Sequence, residues 1–361
     1  MKKIKTGLIG CGKVAHLHAA ALRDLPESEF VAVCATDAEK ARKFGEKYGV
    51  AAFSDLGEMF KKSGAQAVCI CTPHPQHAEP TIAAAKAGVH VLVEKPLASS
   101  LADCDRMIAA AKESRVKLGV FSQRRFYEPC QRIRRAIDDG KIGKPVLGSV
   151  AMYGWRDEKY YKSDPWRGSW KGEGGGVLVN QAPHQLDMLL WYMGPVAELC
   201  GYWANLNHPY IEVEDTAVAS IRFVSGALGQ IVVSNSQNPA LYGRVQVHGS
   251  NGATVGVQTD GGAMFIAGMS NITEPPFNDV WTIDGEEDRR ENWKKQDAEF
   301  FAGINPIEHF HAAQIKDFLG AVIEDREPSV TGEDGRRTVE LFTAIYRSQK
   351  DGAVVRFPLN V

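Results

Sequence analysis

The first third of the chain alternates short apolar runs with longer segments that carry one apolar face. Ile4 to Ile9 reads as a strand, and Val14 to Leu25 as a helix that Pro26 ends. Phe30 to Ala35 predicts a second strand. The helix after it, Ala38 to Tyr48, turns lysines, arginine and glutamates outward and stops at Gly49. Ala52 and Phe53 precede a short helix, Leu56 to Lys62. Strands at Ala67 to Cys71, Val89 to Val93 and Leu118 to Phe121 then alternate with helices at Thr81 to Ala87 and Leu101 to Ser114. Near-continuous apolar strands separated by helices predict a parallel sheet covered on both faces.

From about residue 145 strand follows strand: Val146 to Tyr153, Val196 to Trp203, Asp215 to Phe223, Ala227 to Ser234, Tyr242 to His248 and Ala253 to Val257. Several alternate with a period of two between Gly-rich turns, which predicts a large, mainly antiparallel open sheet with one face toward solvent or a partner. Helices are expected at about 180–193, 308–325 and 334–350, and a last strand at Val354 to Phe357. The polar stretch 271–300 reads as a long loop. The expected organisation is an α/β dinucleotide-binding domain over 1–124 and an α+β domain over 125–361, with the C-terminal helix able to pack back on the first.

Composition adds exclusions. The 361 residues are 44% hydrophobic and 24% charged with a net charge of −2, which gives no basic footprint for nucleic acid. Apolar runs fall far short of a membrane span, and the stretch after Lys2 and Lys3 is too short for a signal peptide, so a cytoplasmic protein is expected. The seven cysteines lack metal or disulfide spacing. His16 with His18, and His309 with His311, form HxH pairs without cysteine or carboxylate ligands nearby, so no metal is expected.

Gly10-Cys11-Gly12-Lys13-Val14-Ala15 follows the first strand and opens a helix, the context in which GxGxxA binds a dinucleotide. Gly10 permits the tight turn, Gly12 lets a pyrophosphate approach, and the helix N-terminus stabilises it. Asp37, after the second strand, is placed to accept from a ribose hydroxyl or to cap the next helix. With no arginine at 35–37 the reading is NAD, and Lys40 and Arg42 keep NADP open. Thr72 and Pro73 begin a rigid loop suited to a wall beside the nicotinamide half. His77 at its end is a cofactor ligand or a helix-start residue. In Glu94-Lys95-Pro96 an apolar strand ends in a lysine where ligands bind in such sheets. Downstream, Gly174-Gly175-Gly176 leads into Asn180, His184 and Asp187, spaced to share one helix face, the helix starting or bending near Asn180. His184 is a candidate acid/base or a surface histidine bonded to Asp187.

Together the fingerprint, Glu94-Lys95-Pro96 and the glycine-to-histidine helix resemble the Gfo/Idh/MocA oxidoreductase family. The resemblance implies a Rossmann domain, an open-sheet second domain, NAD(P) chemistry on sugars and cyclitols, and dimers or tetramers formed through the sheet. It implies Lys95 and His184 as catalytic residues and Glu94 beside the nicotinamide ribose. Gln123 enters the second domain, and Trp166 and Arg167 reach toward cofactor or substrate. Asn180 stands where several relatives carry aspartate; it can orient hydroxyls but cannot take a proton. Tyr153, Trp155 and Arg156 complete the candidate substrate-binding set with Lys95, Asn180 and His184. The same fold hosts NAD-dependent glycosidases and non-enzymatic dinucleotide-sensing regulators, and both readings stay open.

Overall fold

The computed structural model describes residues 2–261 and 274–360. The chain forms two compact units, Met1–Gln123 with Pro306–Arg336, and Arg124–Asn305 with Arg337–Val361. The first holds a six-stranded sheet in the spatial order Ala51–Phe53, Ser28–Cys34, Ile4–Ile9, Ala67–Ile70, His90–Val93, Leu118–Val120. Every pairing is parallel. This is the Rossmann order, and its direction reverses between Ile4–Ile9 and Ala67–Ile70. Ligands bind at the carboxyl ends of strands at such a switch point. The helix Pro306–Glu324, though late in the chain, belongs here: Ile315, Phe318 and Leu319 join Leu8, Leu22, Leu92 and Phe121 in one core cluster.

The second unit carries an eight-stranded sheet in the order Phe277–Trp281, Thr254–Gly261, Tyr242–Gly249, Pro145–Tyr153, Leu228–Ser234, Thr216–Phe223, Val196–Ala204, Val355–Arg356. All pairings are antiparallel except that of Leu228–Ser234 with Pro145–Tyr153. One face packs under the helix Pro183–Met193. The approach is close enough that a Cβ on Gly148 would lie 2.7 Å from Met193 Cγ. On the other face Leu147, Leu228, Val218 and Tyr202 are exposed.

The expected loop over 271–300 is corrected: 271–273 lie outside the described residues, and the rest contains the strand Phe277–Trp281 and the helix Arg289–Ala302. That helix buries only Asp297 and Phe301, so it shows no apolar stripe. Its anchor is ionic. Arg132, on an unforeseen helix Glu128–Asp138, donates to both oxygens of Asp297 at 2.6 and 2.8 Å. The Arg132 guanidinium also lies 5.0 Å from the Trp293 ring. Among the described residues no helix is long and apolar enough to cross a membrane.

Candidate active site

In the first unit the fingerprint has the form a pyrophosphate requires. Gly10 has φ +94°, and a Cβ there would lie 2.8 Å from the Cys71 carbonyl. Gly12 faces open space, with nothing within 4 Å of where a Cβ would stand. Cys11 is buried, and burial pushes its thiol up to about 11, so it serves as packing. Lys13 is exposed. The helix Ala15–Asp24 starts from Val14 without a side-chain cap and without acidic residues in its first turn. Its positive end is thus left for an anion, and the chain fits a dinucleotide.

Asp37 caps the helix Ala38–Tyr48, its Oδ1 accepting from Lys40 N at 3.0 Å. A carboxylate has further acceptor positions, so the cap does not exhaust it. Thr72 and Pro73 flank the switch point from the second side, and the Thr72 hydroxyl donates to the Gln76 carbonyl at 3.1 Å. His77 immediately precedes the helix Ala78–Lys86. It is fully buried, with Nδ1 at 2.9 Å from the Pro96 carbonyl oxygen and Nε2 at 2.9 Å from that of Thr72. The ring lies between these two carbonyls and packs the Thr72 loop against the Lys95-Pro96 segment, and a neutral imidazole donates to one of them.

Lys95 is half-buried at the end of the strand His90–Val93. Glu94 is buried. Its Oε1 accepts from His18 Nε2 at 2.8 Å, and its Oε2 accepts from the Lys95 backbone N–H at 3.1 Å. His311 Nε2 lies 3.8 Å from the same Oε1. The sequence reading set both HxH pairs aside; one histidine of each pair, His18 and His311, meets at this buried glutamate. Gln123 is buried at the start of a short 3₁₀ turn, Gln123–Phe126.

In the second unit the expected single helix over 180–193 is two. Val177–Asn180 ends, Gln181 and Ala182 turn, and Pro183 begins the next helix where its missing N–H costs nothing. Asn180 therefore does not share a continuous helix face with His184 and Asp187. Asp187 forms a buried two-pronged pair with Arg125, at 2.7 and 2.5 Å. His184 is half-buried in the first turn of its helix.

Asn180 donates from Nδ2 to the Glu173 carboxylate and, at 3.0 Å, to the Tyr160 hydroxyl. Arg167 also donates to that hydroxyl, and its guanidinium lies 4.3 Å from the Tyr160 ring and 4.4 Å from the Trp166 ring. Arg156 sits 5.1 Å from the Tyr160 ring. Arg156, Trp166, Arg167 and Asn180 thus form one cluster around Tyr160. Trp155 instead packs on His208 at 5.4 Å, and Tyr153 on Tyr242 at 5.5 Å. Glu173, only 1% exposed, was missed by sequence reasoning. Its signal was available: it stands immediately before the glycine run and is the only carboxylate between Asp164 and Asp187.

Glu214 was missed too. It accepts from Gly176 N at 2.9 Å, Leu178 N at 3.0 Å and the Tyr346 hydroxyl at 2.8 Å, and so caps the helix that carries Asn180. Burial pushes its carboxyl up to about 7 despite those bonds.

Residues 4–122 match the model of an oxidoreductase family with an NAD-binding Rossmann fold, and residues 130–255 match the GFO/IDH/MocA C-terminal domain. The chain is 30% identical over 361 residues to a myo-inositol 2-dehydrogenase of Thermotoga maritima, covering 98% of each chain. It is similar to the WlbA dehydrogenase of Bordetella pertussis, crystallised with NADH and UDP-GlcNAcA: 32% identity, TM-score 0.86, 99% of each chain covered. The WlbA dehydrogenase from Chromobacterium violaceum gives 28% identity and a TM-score of 0.85, covering 100% of this chain and 98% of its own. The chain belongs to the Gfo/Idh/MocA family of oxidoreductases, with an NAD-binding Rossmann domain at its N-terminus.

Proposed function

We propose that this enzyme transfers a hydride reversibly between a secondary alcohol of a sugar, cyclitol or sugar derivative and NAD, with Lys95 and His184 acting on the alcohol oxygen. NAD, when bound, supplies the hydride acceptor. Lys95 stabilises the negative charge that develops on the oxygen, and His184 takes its proton. Asn180 orients a neighbouring hydroxyl, and Arg156, Trp166 and Arg167 line the ring. Asp37 accepts from the adenosine ribose. The observation that supports this reading is Lys95 at a strand end in the unit of the uncapped fingerprint helix, its backbone N–H held by Glu94 and the next carbonyl, that of Pro96, lying 2.9 Å from His77 Nδ1. The substrate class is supported by relatives named for myo-inositol or crystallised with UDP-GlcNAcA.

The test is a turnover screen of inositols, pentoses, hexoses, sugar acids and UDP-linked sugar acids with NAD⁺ and NADP⁺. Lys95→Ala and His184→Ala should each lower kcat by roughly 10²- to 10⁴-fold with NAD⁺ binding retained. Near-normal turnover in either variant would sink the assignment, and release of free sugar from a glycoside without NADH accumulation would favour the glycosidase reading. We also propose a dimer or tetramer through the exposed sheet face. There Leu147 pairs with Leu228 and Val218 with Tyr202 in register, an apolar strip that light scattering of the purified chain would find covered.

A further inference from the structure

His18, Glu94 and His311 form a buried polar cluster outside the groups that the proposed chemistry places on substrate. They come from three separate elements: the helix the fingerprint opens, the end of the strand before Lys95, and the late helix Pro306–Glu324. Three such ligands suggest a metal, but the geometry argues otherwise. His18 Nε2 and Glu94 Oε1 are in direct hydrogen-bond contact at 2.8 Å, so the pair is already satisfied without an ion between them.

The tautomers follow from the partners. Glu94 is held below the usual carboxylate range: burial pushes it up, and influences led by the His18 hydrogen bond outweigh that. An ionised carboxylate only accepts, so His18 must carry its proton on Nε2. His18 Nδ1 is buried without a hydrogen-bond partner. His311 Nδ1 lies 2.7 Å from the Ile307 carbonyl and donates to it, which leaves its Nε2 unprotonated near Glu94. His18 is thus the donor that matches the Glu94 charge, and the other Glu94 oxygen holds the Lys95 N–H.

We propose that His18 is a positioning residue for Lys95: it fixes the Glu94 carboxylate, which grips the Lys95 backbone and sets a negative charge beside the ammonium. This rests on the reading of Lys95 as catalytic. It makes the fingerprint helix and the lysine one connected assembly, with no contact from His18 to substrate. The other ionisable groups around Glu94 are His311, His77, Cys69 and Cys71. Burial keeps both histidines neutral and both thiols protonated near pH 7.

The test needs neither substrate nor cofactor. The intact chain is labelled with acetic anhydride from pH 6 to 10, and acetylation of Lys95 is measured by mass spectrometry against exposed Lys61. His18→Leu leaves Glu94 buried without its donor, so Glu94 takes a proton and Lys95 loses its counter-charge. Lys95 reactivity at pH 8 should rise about tenfold, the equivalent of one pH unit. His18→Gln, whose amide can donate as Nε2 does, should stay within about twofold of the wild type. Glu94→Gln should rise as His18→Leu does, and it reads the same linkage if His18→Leu does not fold. An unchanged Lys95 ratio in His18→Leu or Glu94→Gln, or a His18→Gln protein as reactive as His18→Leu, would overturn the proposal. The labelling reports the linkage whether or not Lys95 is catalytic, whereas Lys95→Ala turnover tests the function separately.

Discussion

Glu94 in the first unit and Glu214 in the second are both buried carboxyls that hold a backbone segment beside a candidate catalytic residue. They are displaced in opposite directions. At Glu94 burial raises the carboxyl, but opposing influences led by the His18 hydrogen bond outweigh it and the group stays ionised. Since burial pushes His311 down to about 4, His311 is neutral near pH 7 and adds no charge there. At Glu214 the partners are two backbone N–H groups and a tyrosine hydroxyl, and burial wins, leaving the carboxyl near 7. Similar numbers of hydrogen bonds therefore do not give similar charge states; the identity of the partners decides. The Lys95 side is built to keep one charge state across neutral pH, and the Asn180 side is built on a group that titrates there.

The largest blow to that contrast is steric. A Cβ on Gly176 would lie 1.8 Å from the Glu214 carbonyl oxygen, a contact with backbone that cannot rotate away. Gly176→Ala should cost roughly 3 kcal/mol or more and lower the urea midpoint accordingly. A variant as stable as the wild type would mean that the glycine run is not seated on Glu214. Next comes titration. The folded value of Glu214, about 7, lies above the 4.5 of an ordinary glutamate. Its contribution is therefore fully present below pH 4.5 and is lost as pH rises through 7, by about 3 kcal/mol. Glu214→Gln mimics the protonated form, so its stability should be flatter between pH 4.5 and 7.5 than that of the wild type.

Glu94 gives the opposite slope. Its depressed value means that its contribution is present above 4.5 and is lost as pH falls toward 2. Glu94→Gln should lose about 1–3 kcal/mol at pH 7 and show a weaker acid dependence than the wild type. Parallel pH profiles for Glu94→Gln and Glu214→Gln would erase the distinction between the two sites.

What was legible in the sequence follows the distance over which each feature is built. The fingerprint, the strand ending at Lys95 and the glycine run are local, and their turn residues and apolar periods announce them. The His18–Glu94 bond spans 76 positions, and His311 arrives on a helix from the far end of the chain. No local pattern marks such a meeting, which is why two HxH pairs read as unremarkable. The helix Arg289–Ala302 was invisible for another reason: it is held by the Arg132–Asp297 pair and the Trp293 ring rather than by an apolar stripe. Asn180 carries an amide, which orients hydroxyls but takes no proton. The Asn180 amide nevertheless meets a carboxylate, because Glu173 reaches it from before the glycines.

That last point yields the smallest and most specific test. Asn180→Asp would set a second carboxyl against the buried Glu173 in place of the amide that donates to it. Two carboxylates in hydrogen-bond contact cannot both ionise, so one must keep a proton, and its folded value rises. Stability from that shared proton is present at low pH and is lost as pH rises. Asn180→Asp should therefore be about 1–2 kcal/mol less stable than the wild type at pH 8 and nearly equal to it at pH 5. Adding Glu173→Gln restores a donor and an acceptor with their positions exchanged, and should recover most of the loss in a double-mutant cycle of urea unfolding. A single variant equally weak at both pH values, or a double variant that recovers nothing, would show that Glu173 does not govern Asn180.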